Sequence, residues 1–585
     1  MNRWVCAMLL AAMTLAGGAR AQIEIHPLPD AAPATPVPLG GHALTAADAG
    51  AWIDAQLASA LRDHAITGAA VAIVVDGEAK VLKGYGRDGD GHPIDGQATR
   101  FALGNASATF TWTALMQLAA AGKVDLDADV GRYLGTSSSP RGGRPPTLRQ
   151  LMTHTAEFTD TGNAQPADAA CVMRPAVSDV APSWSRCDAA LAARVVAHVS
   201  GMDLATYVAR WVFEPIGMPG AAFGNPAGDA TATAPAMGNY LAALLPGNRP
   251  IDAAALPPAE ARQMLDASVP LAPGVPGMAL GWRRFDRNGW QAVGLASPTP
   301  AGSVLLALVP DSRAGLFIAL DGRGAGALGT SLFDGFMGRY FPPRPSVAPA
   351  RPATAVADAA RLAGSYQSSR AVAGGFRAIA GLFGQARITA AGGEIITRDL
   401  AGMTGVHRWR ETVPSRWQGV DGHGYLGVAV HDGRVQHVAV RSLAPPEVWR
   451  PVPRWASARW NLPLLWATLA LLAVLTLAWP LVAWRGPRDA AWRWLQGAHA
   501  AALVQLGCAV GWAWVARLPD APALAVRGVQ VLGVAALAGV VVAAAGTWQA
   551  WRRPCRAWWR LDSGLLLAGG LAGAWFILAF GLLAH

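Results

Sequence analysis

Lysine is nearly absent from this chain. Of the 48 basic residues in 585, all but Lys80, Lys83 and Lys123 are arginine. Chemistry that needs a lysine amine as base or nucleophile therefore has three candidates. Cysteine is also scarce, with five residues and no C-x-x-C pair. That excludes a disulfide-dense scaffold and the common structural zinc sites. Charged side chains make up only 15% of the chain and hydrophobic ones 52%. So apolar a balance excludes a disordered polar chain and points to membrane segments. The formal net charge is +10, but no Lys/Arg stripe with interleaved aromatics accompanies it. Basic loops beside membrane helices account for the charge, and no nucleic-acid partner is expected. G-x-S-x-G and H-E-x-x-H are missing too, which removes two common hydrolase signatures.

What is present falls into blocks. "MNRWVCAMLLAAMTLAGGARAQ" has a basic start, a short apolar run and an Ala19-Arg20-Ala21 cleavage pattern, so residues 1–21 read as a signal peptide. A Pro/Ala linker, 22–45, leads to a mixed α/β region, 46–340, whose first helix is expected over Ala46–Arg62. Asp76-Gly77 between two apolar runs marks a hairpin. A second Pro-rich linker covers 341–358. Period-two patterning then predicts a small antiparallel β domain over 359–455, with a hairpin at Asp432-Gly433. Residues 460–585 carry four apolar runs, Leu462–Trp484, Leu495–Ala516, Val529–Trp548 and Leu565–Leu583. Each is near the ~20 residues that cross a bilayer. The loops after runs one and three hold seven arginines (485, 488, 493, 552, 553, 556, 560), and the loop between runs two and three holds two (517, 527). The positive-inside bias puts the first and third loops in the cytoplasm and residues 22–459 outside it. The expected location is a bacterial inner membrane, multi-pass, with the large domain in the periplasm. There Cys171 and Cys187 form the one exported pair, and a disulfide between them would contribute about 3 kcal/mol by chain entropy.

"AAGKVDLDADVGRYL" followed by "PPTLRQLMTHTAEF", with "KGYGRDGDG" before and "GSVLLALVPDSRAGLFIAL" after, resembles the serine β-lactamase, penicillin-binding-protein and esterase superfamily, most closely its class C-like branch. The resemblance implies an α/β (α+β) β-lactamase/transpeptidase-like domain, then a small β domain, then transmembrane helices. It also implies a Ser-x-x-Lys nucleophile pair, a Tyr-x-Asn motif and a Lys/His-x-Gly strand. The matching positions are Asn105 and Ala108, Trp184 and Arg186, Leu295 and Ser297. A carboxamide is no nucleophile, an alanine takes no proton, and an indole N–H only donates. None of the three lysines falls where Asn105 would meet it. His154 has a structural role by the same resemblance. Asp125, Asp127 and Asp129 alternate but lack the glycine and distal glutamate of a calcium loop.

The expected protein is thus a membrane-anchored pseudoenzyme without cofactor or metal. Its cleft, near Asn105, Ser107, Trp184, Arg186 and Ser297, would hold a peptide, a peptidoglycan fragment or a protein partner. The alternative is an active serine hydrolase (β-lactamase, esterase or peptidase) with relocated catalytic residues, for which Ser107 and Ser297 are the serines that could face the cleft.

Overall fold

The computed structural model describes residues 41–63, 65–135, 145–159, 172–173, 180–224, 229–247, 256–266, 269–343, 352–371, 378–401, 403, 405–420, 424–441, 445–483, 490–518, 522–552 and 557–583. The expected signal peptide, residues 22–40 of the first linker, residues 344–351 of the second, Cys171, and Arg485, Arg488, Arg553 and Arg556 lie outside the described residues. Two compact units emerge: Pro38–Arg370 with Ala386–Pro451, and Ala371–Gln385 with Val452–His585.

The first unit is built on a six-stranded antiparallel sheet. Its strands are β1 (Gly68–Val75), β2 (Glu78–Gly86), β3 (Arg283–Arg284), β4 (Val293–Pro298), β5 (Gly302–Val309) and β6 (Ala314–Asp321), in the order β2-β1-β6-β5-β4-β3. Asp76 and Gly77 both take positive φ between β1 and β2, the turn that matches strand twist in a two-residue hairpin. Five main helices flank or follow this sheet: α1 (Ala46–Arg62), α2 (Ala108–Ala120), α3 (Arg186–Ser200), α4 (Ala234–Leu244) and α5 (Ala325–Tyr340). The all-apolar β1, GAAVAIVV, is buried along its whole length because it is covered on both faces. Alternate residues point to opposite faces of a strand. Ala70, Ala72 and Val74 join one core with Phe110 of α2 and Tyr240 of α4. Ala69, Val71 and Ile73 join another with Ile53 of α1 and Phe336 of α5. Helix α2 is buried from Thr109 to Leu118, so it runs through the core with no solvent face. Tyr240 pins it, donating to Thr109 O at 3.1 Å and pairing with Thr113 Oγ1 at 2.9 Å.

The predicted small β domain is a closed barrel of eight strands: β7 (Gly364–Ser368), β8 (Ala386–Ala391), β9 (Glu394–Arg398), β10 (Val406–Val413), β11 (Arg416–Gly419), β12 (Tyr425–His431), β13 (Arg434–Val440) and β14 (Trp449–Pro451). Closure by β7 on β14 was not legible in the sequence, because period-two patterning reports only which face of a strand is wet. Helix α6 (Ala355–Leu362) adds Ala359 and Leu362 to a core with Trp409 and Trp417. The barrel packs on the α/β domain. Arg441 donates to Asp286 O at 2.7 Å, and His437 Nε2 donates to Leu271 O at 2.7 Å.

The second unit holds α7 (Ala458–Ala483), α8 (Ala490–Val515), α9 (Ala523–Arg552) and α10 (Ala557–Ala579), all four long and apolar enough to cross a membrane. The helices overrun most ends of the apolar runs because helical hydrogen bonding continues into their Trp- and Arg-bearing flanks. Pro463 and Pro480 both lie inside α7. Helix α9 buries Gly533, Ala536, Gly539, Ala543, Gly546 and Ala550 along one stripe, and small residues at this spacing let neighbouring backbones approach closely.

Candidate ligand cleft

The stretch FALGNASATF decides the local geometry. Phe101–Ala102 is a short strand, Gly104 turns the chain, and α2 begins at Ala108. Gly104 has φ of 54°, and a Cβ there would lie 2.5 Å from Pro298 O, so only glycine fits. The turn delivers Asn105 to a cavity shared with Ala108, Thr109 and Trp112 of the same segment. Strand β4 contributes Leu295 and Ala296, and the segment around β3 contributes Met278, Gly281 and Arg283. Gly281, φ 81°, leaves the room that Trp112 fills: an added Cβ would sit 2.3 Å from the indole Cδ1. Trp184, just before α3, closes a further side.

The barrel supplies the last wall. Pro445 and Pro446, between β13 and β14, line the same cavity, and Pro446 O accepts the Trp184 backbone N–H at 2.9 Å. The Arg370 guanidinium stacks over the Trp184 ring at 5.2 Å, and Ser369 donates to Ser183 Oγ at 2.9 Å. The remaining space is about 40 Å³, room for a few waters or one small group, since a single water needs roughly 10–15 Å³.

Two ionisable groups in the cavity wall are buried. Arg283 is 3% exposed and donates to Val440 O of the barrel at 3.4 Å. Burial draws its guanidinium down to about 10, opposed by the charge of Glu447. His154, 5% exposed, pairs through Nδ1 with Asp188 Oδ2 at 2.6 Å. Trp112 meets the imidazole edge-on, with ring centroids 6.1 Å apart. A carboxylate on one imidazole nitrogen fixes the ring and its tautomer. Neither Arg283, Asp188, Pro445 nor Pro446 was singled out from sequence. Asp188 sits in the first turn of α3, where acidic residues are common because they offset the helix dipole, and that ordinary placement masked its partner.

The positions expected from the resemblance are spread more widely than a single cleft. Asn105, Ala108, Trp184 and Leu295 line the cavity. Ser107 does not: it is 2% exposed, and its Oγ accepts the Ala230 N–H at 2.7 Å. Ser297 is 1% exposed, and its Oγ donates to Pro298 O at 3.2 Å. Both hydroxyls face backbone rather than the cavity, correcting the expectation that these serines could face the cleft. Arg186 is exposed at the start of α3. Its charge acts on Asp229, whose carboxyl is raised chiefly by burial. Lys83 is bound to Asp54 Oδ2 at 2.6 Å, and Lys80 lies 3.7 Å from Asp76 and Glu78. The Asp125–Asp129 turn is tied by Arg149 to Asp127 at 2.6 Å and by Asp129 capping Gly131. Among the described residues, Asp88, Asp90 and His92 are close enough together to share a cation. They form a surface turn in which Asp88 already accepts the backbone N–H of Asp90 and His92. Cys187 is disulfide-bonded, and its expected partner Cys171 lies outside the described residues.

No curated protein sequence matches the chain. Among solved structures, SurE with D-Leu aligns at 18% identity and TM-score 0.50, covering 69% of this chain and 100% of that one. The octameric penicillin-binding protein homologue from Pyrococcus abyssi aligns at 14% identity and TM-score 0.44, over 68% and 99% of the two chains. A class C beta lactamase from Rhodobacter sphaeroides aligns at 17% identity and TM-score 0.39, over 48% and 99%. At such identities the likeness concerns the fold. The family profile described as Beta-lactamase matches residues 51–330, the segment that holds the central sheet and every cavity wall except the barrel's. The chain therefore carries a beta-lactamase family domain, followed by an eight-stranded barrel and four long apolar helices.

Proposed function

We propose that this is a membrane-anchored, periplasm-facing member of the beta-lactamase family that has lost hydrolysis. In this reading its cleft recognises a peptide end, a cell-wall fragment or a segment of a partner protein. One observation carries it. Asn105, Ala108, Trp184 and Leu295 all reach the cavity, and none can attack a carbonyl or take a proton. The small volume under Pro445 and Pro446 supports recognition of an end group rather than of a whole bicyclic substrate. The test uses purified full-length protein in detergent with fluorescent penicillin, a fluorophosphonate probe and nitrocefin. The expected result is no covalent label and no turnover above a heat-treated control. Label or turnover lost on Ser107→Ala or Ser297→Ala would sink this reading.

A second reading has one observation in its favour, the His154–Asp188 pair in the cavity wall. A histidine held by a carboxylate is the arrangement of a general base, and an active hydrolase with relocated residues would use it. That reading expects ester or amide turnover that disappears in His154→Gln.

A further inference from the structure

Two ionisable side chains face each other inside the four-helix unit. His499 of α8 and Asp562 of α10 lie 63 residues apart in sequence, and Nε2 meets Oδ2 at 3.0 Å. Their side chains are 3% and 4% exposed. The Trp479 indole of α7 lies flat against the imidazole, with centroids 5.6 Å apart and planes 4° from parallel. His499 Nδ1 is buried and has no hydrogen-bond partner among the described residues.

Packing alone does not call for such a pair. Elsewhere between the same helices a neutral amide suffices: Gln505 donates to Gly570 O at 2.9 Å. Ionisable groups within a span are costly and mark functional sites by default. What a histidine–aspartate pair offers beyond glutamine is a proton that can enter and leave. We propose that His499–Asp562 is an intramembrane proton-binding site. The exchanged proton comes from water, binds the free Nδ1 and returns to water, while the Nε2–H···Oδ2 hydrogen bond is kept and no other bond is made or broken. The free Nδ1 lets the imidazole change charge without losing Asp562. The two groups share one hydrogen bond, so they exchange protons as one unit rather than as a separate acid and base.

Charged and titratable groups on the four helices are few. Arg493 of α8, Arg552 of α9 and Arg560 of α10 lie at the same end as the pair, while Arg459 of α7 and Arg527 of α9 lie at the other. Arg560 is turned to α9, where it donates to Ala550 O at 3.2 Å. Cys508 lies nine residues further along α8 than His499. Asp562 is five residues into α10 and His499 seven into the span that starts at Trp492, about 8 and 10 Å deep at 1.5 Å per residue. The shorter way to water leads to the arginine-rich end. Helices α8 and α10 are thereby joined by a contact whose charge state follows the pH at that end, a capacity that a passive anchor lacks.

The experiment is pH-step infrared difference spectroscopy on the full-length protein in phospholipid nanodiscs. The expected result is one step in which carboxyl and imidazole bands change together, absent from both Asp562→Asn and His499→Gln. Separate steps for the two groups, a step that survives Asp562→Asn, or no step at all would overturn the proposal. Should either variant fail to fold, Trp479 supplies the readout: the fluorescence difference between the native protein and Trp479→Phe should follow a single pH step, and a flat difference counts against the site. The proposal rests on α7–α10 crossing the membrane. Failure to enter nanodiscs defeats that reading, whereas an inserted chain without a joint step defeats the proton site alone.

Discussion

Ser107 follows the position where a nucleophile is expected by two residues and His154 shares the cavity with it, yet the two make different demands on the fold. The Ser107 hydroxyl satisfies the buried Ala230 N–H. An orphaned buried donor costs about 1–3 kcal/mol, so Ser107→Ala should lower the unfolding free energy by that amount, read by urea denaturation. Any loss of ligand binding should track only the loss of folded protein. His154 and Asp188 are both nearly solvent-free. Removing the carboxylate leaves the buried Nδ1–H without its acceptor, which costs about 1–3 kcal/mol, so Asp188→Ala should measurably destabilise the domain. A Thr in place of Asp188 that proved neutral in thermal melts would show that the pair holds nothing together. Asp48 bears on pH. Hydrogen bonds from Arg339 and then Tyr340 hold its carboxyl well below the usual carboxylate range. A group depressed on folding contributes stability above its unfolded value, near 3.9, and loses it as pH falls through the lower folded value. The stability gap between the native protein and Asp48→Asn should therefore be open at pH 7 and shrink in acid below the ordinary carboxylate range. A gap independent of pH would contradict this.

At the scale of elements, α2 and the turn before it have a local cause: Gly104 supplies the positive φ, and the helix that follows is buried from Thr109 to Leu118. Helix α1, the Asp76-Gly77 hairpin and the Asp432-Gly433 hairpin were legible for equally local reasons: a cap, a period, and residues that tolerate positive φ. What escaped was the barrel's part in the cleft. Pro445 and Pro446 lie some 340 residues from Asn105, and no local period encodes a contact of that range. The contact is polar as well as apolar, through Pro446 O, Ser369 and Arg370. Replacing Arg370 by Ala removes a cation–π contact worth about 0.5–1 kcal/mol. It should raise the access of Trp184 to a neutral quencher such as acrylamide while barely moving the melting temperature. Unchanged quenching would mean that the barrel segment holds its place without that contact.

For the whole molecule, the arrangement is a beta-lactamase family domain and a barrel in one unit, with four long apolar helices in the other. The arginine bias of the loops predicts that a reporter fused after Pro453 works outside the cytoplasm and one fused after Arg488 works inside it. Activity in the reverse sense would invert the topology. Export also predicts a Cys171–Cys187 link. Peptide mapping under non-reducing conditions should recover the two cysteines together, and finding Cys187 joined to any other thiol would refute the pairing.

Composition and period by themselves determined the order of modules, the apolar spans, the hairpin turns and the absence of a lysine beside residue 105, because each depends on neighbours within a few turns of chain. Only the tertiary structure decided which side chains share the cavity. It turned Ser107 and Ser297 onto backbone, set His154 on Asp188, brought the barrel over Trp184, and joined His499 to Asp562. Each of these is a contact between segments far apart in sequence or a choice of direction for one side chain. Such outcomes are fixed by the packing of whole layers, which no local pattern of residues records.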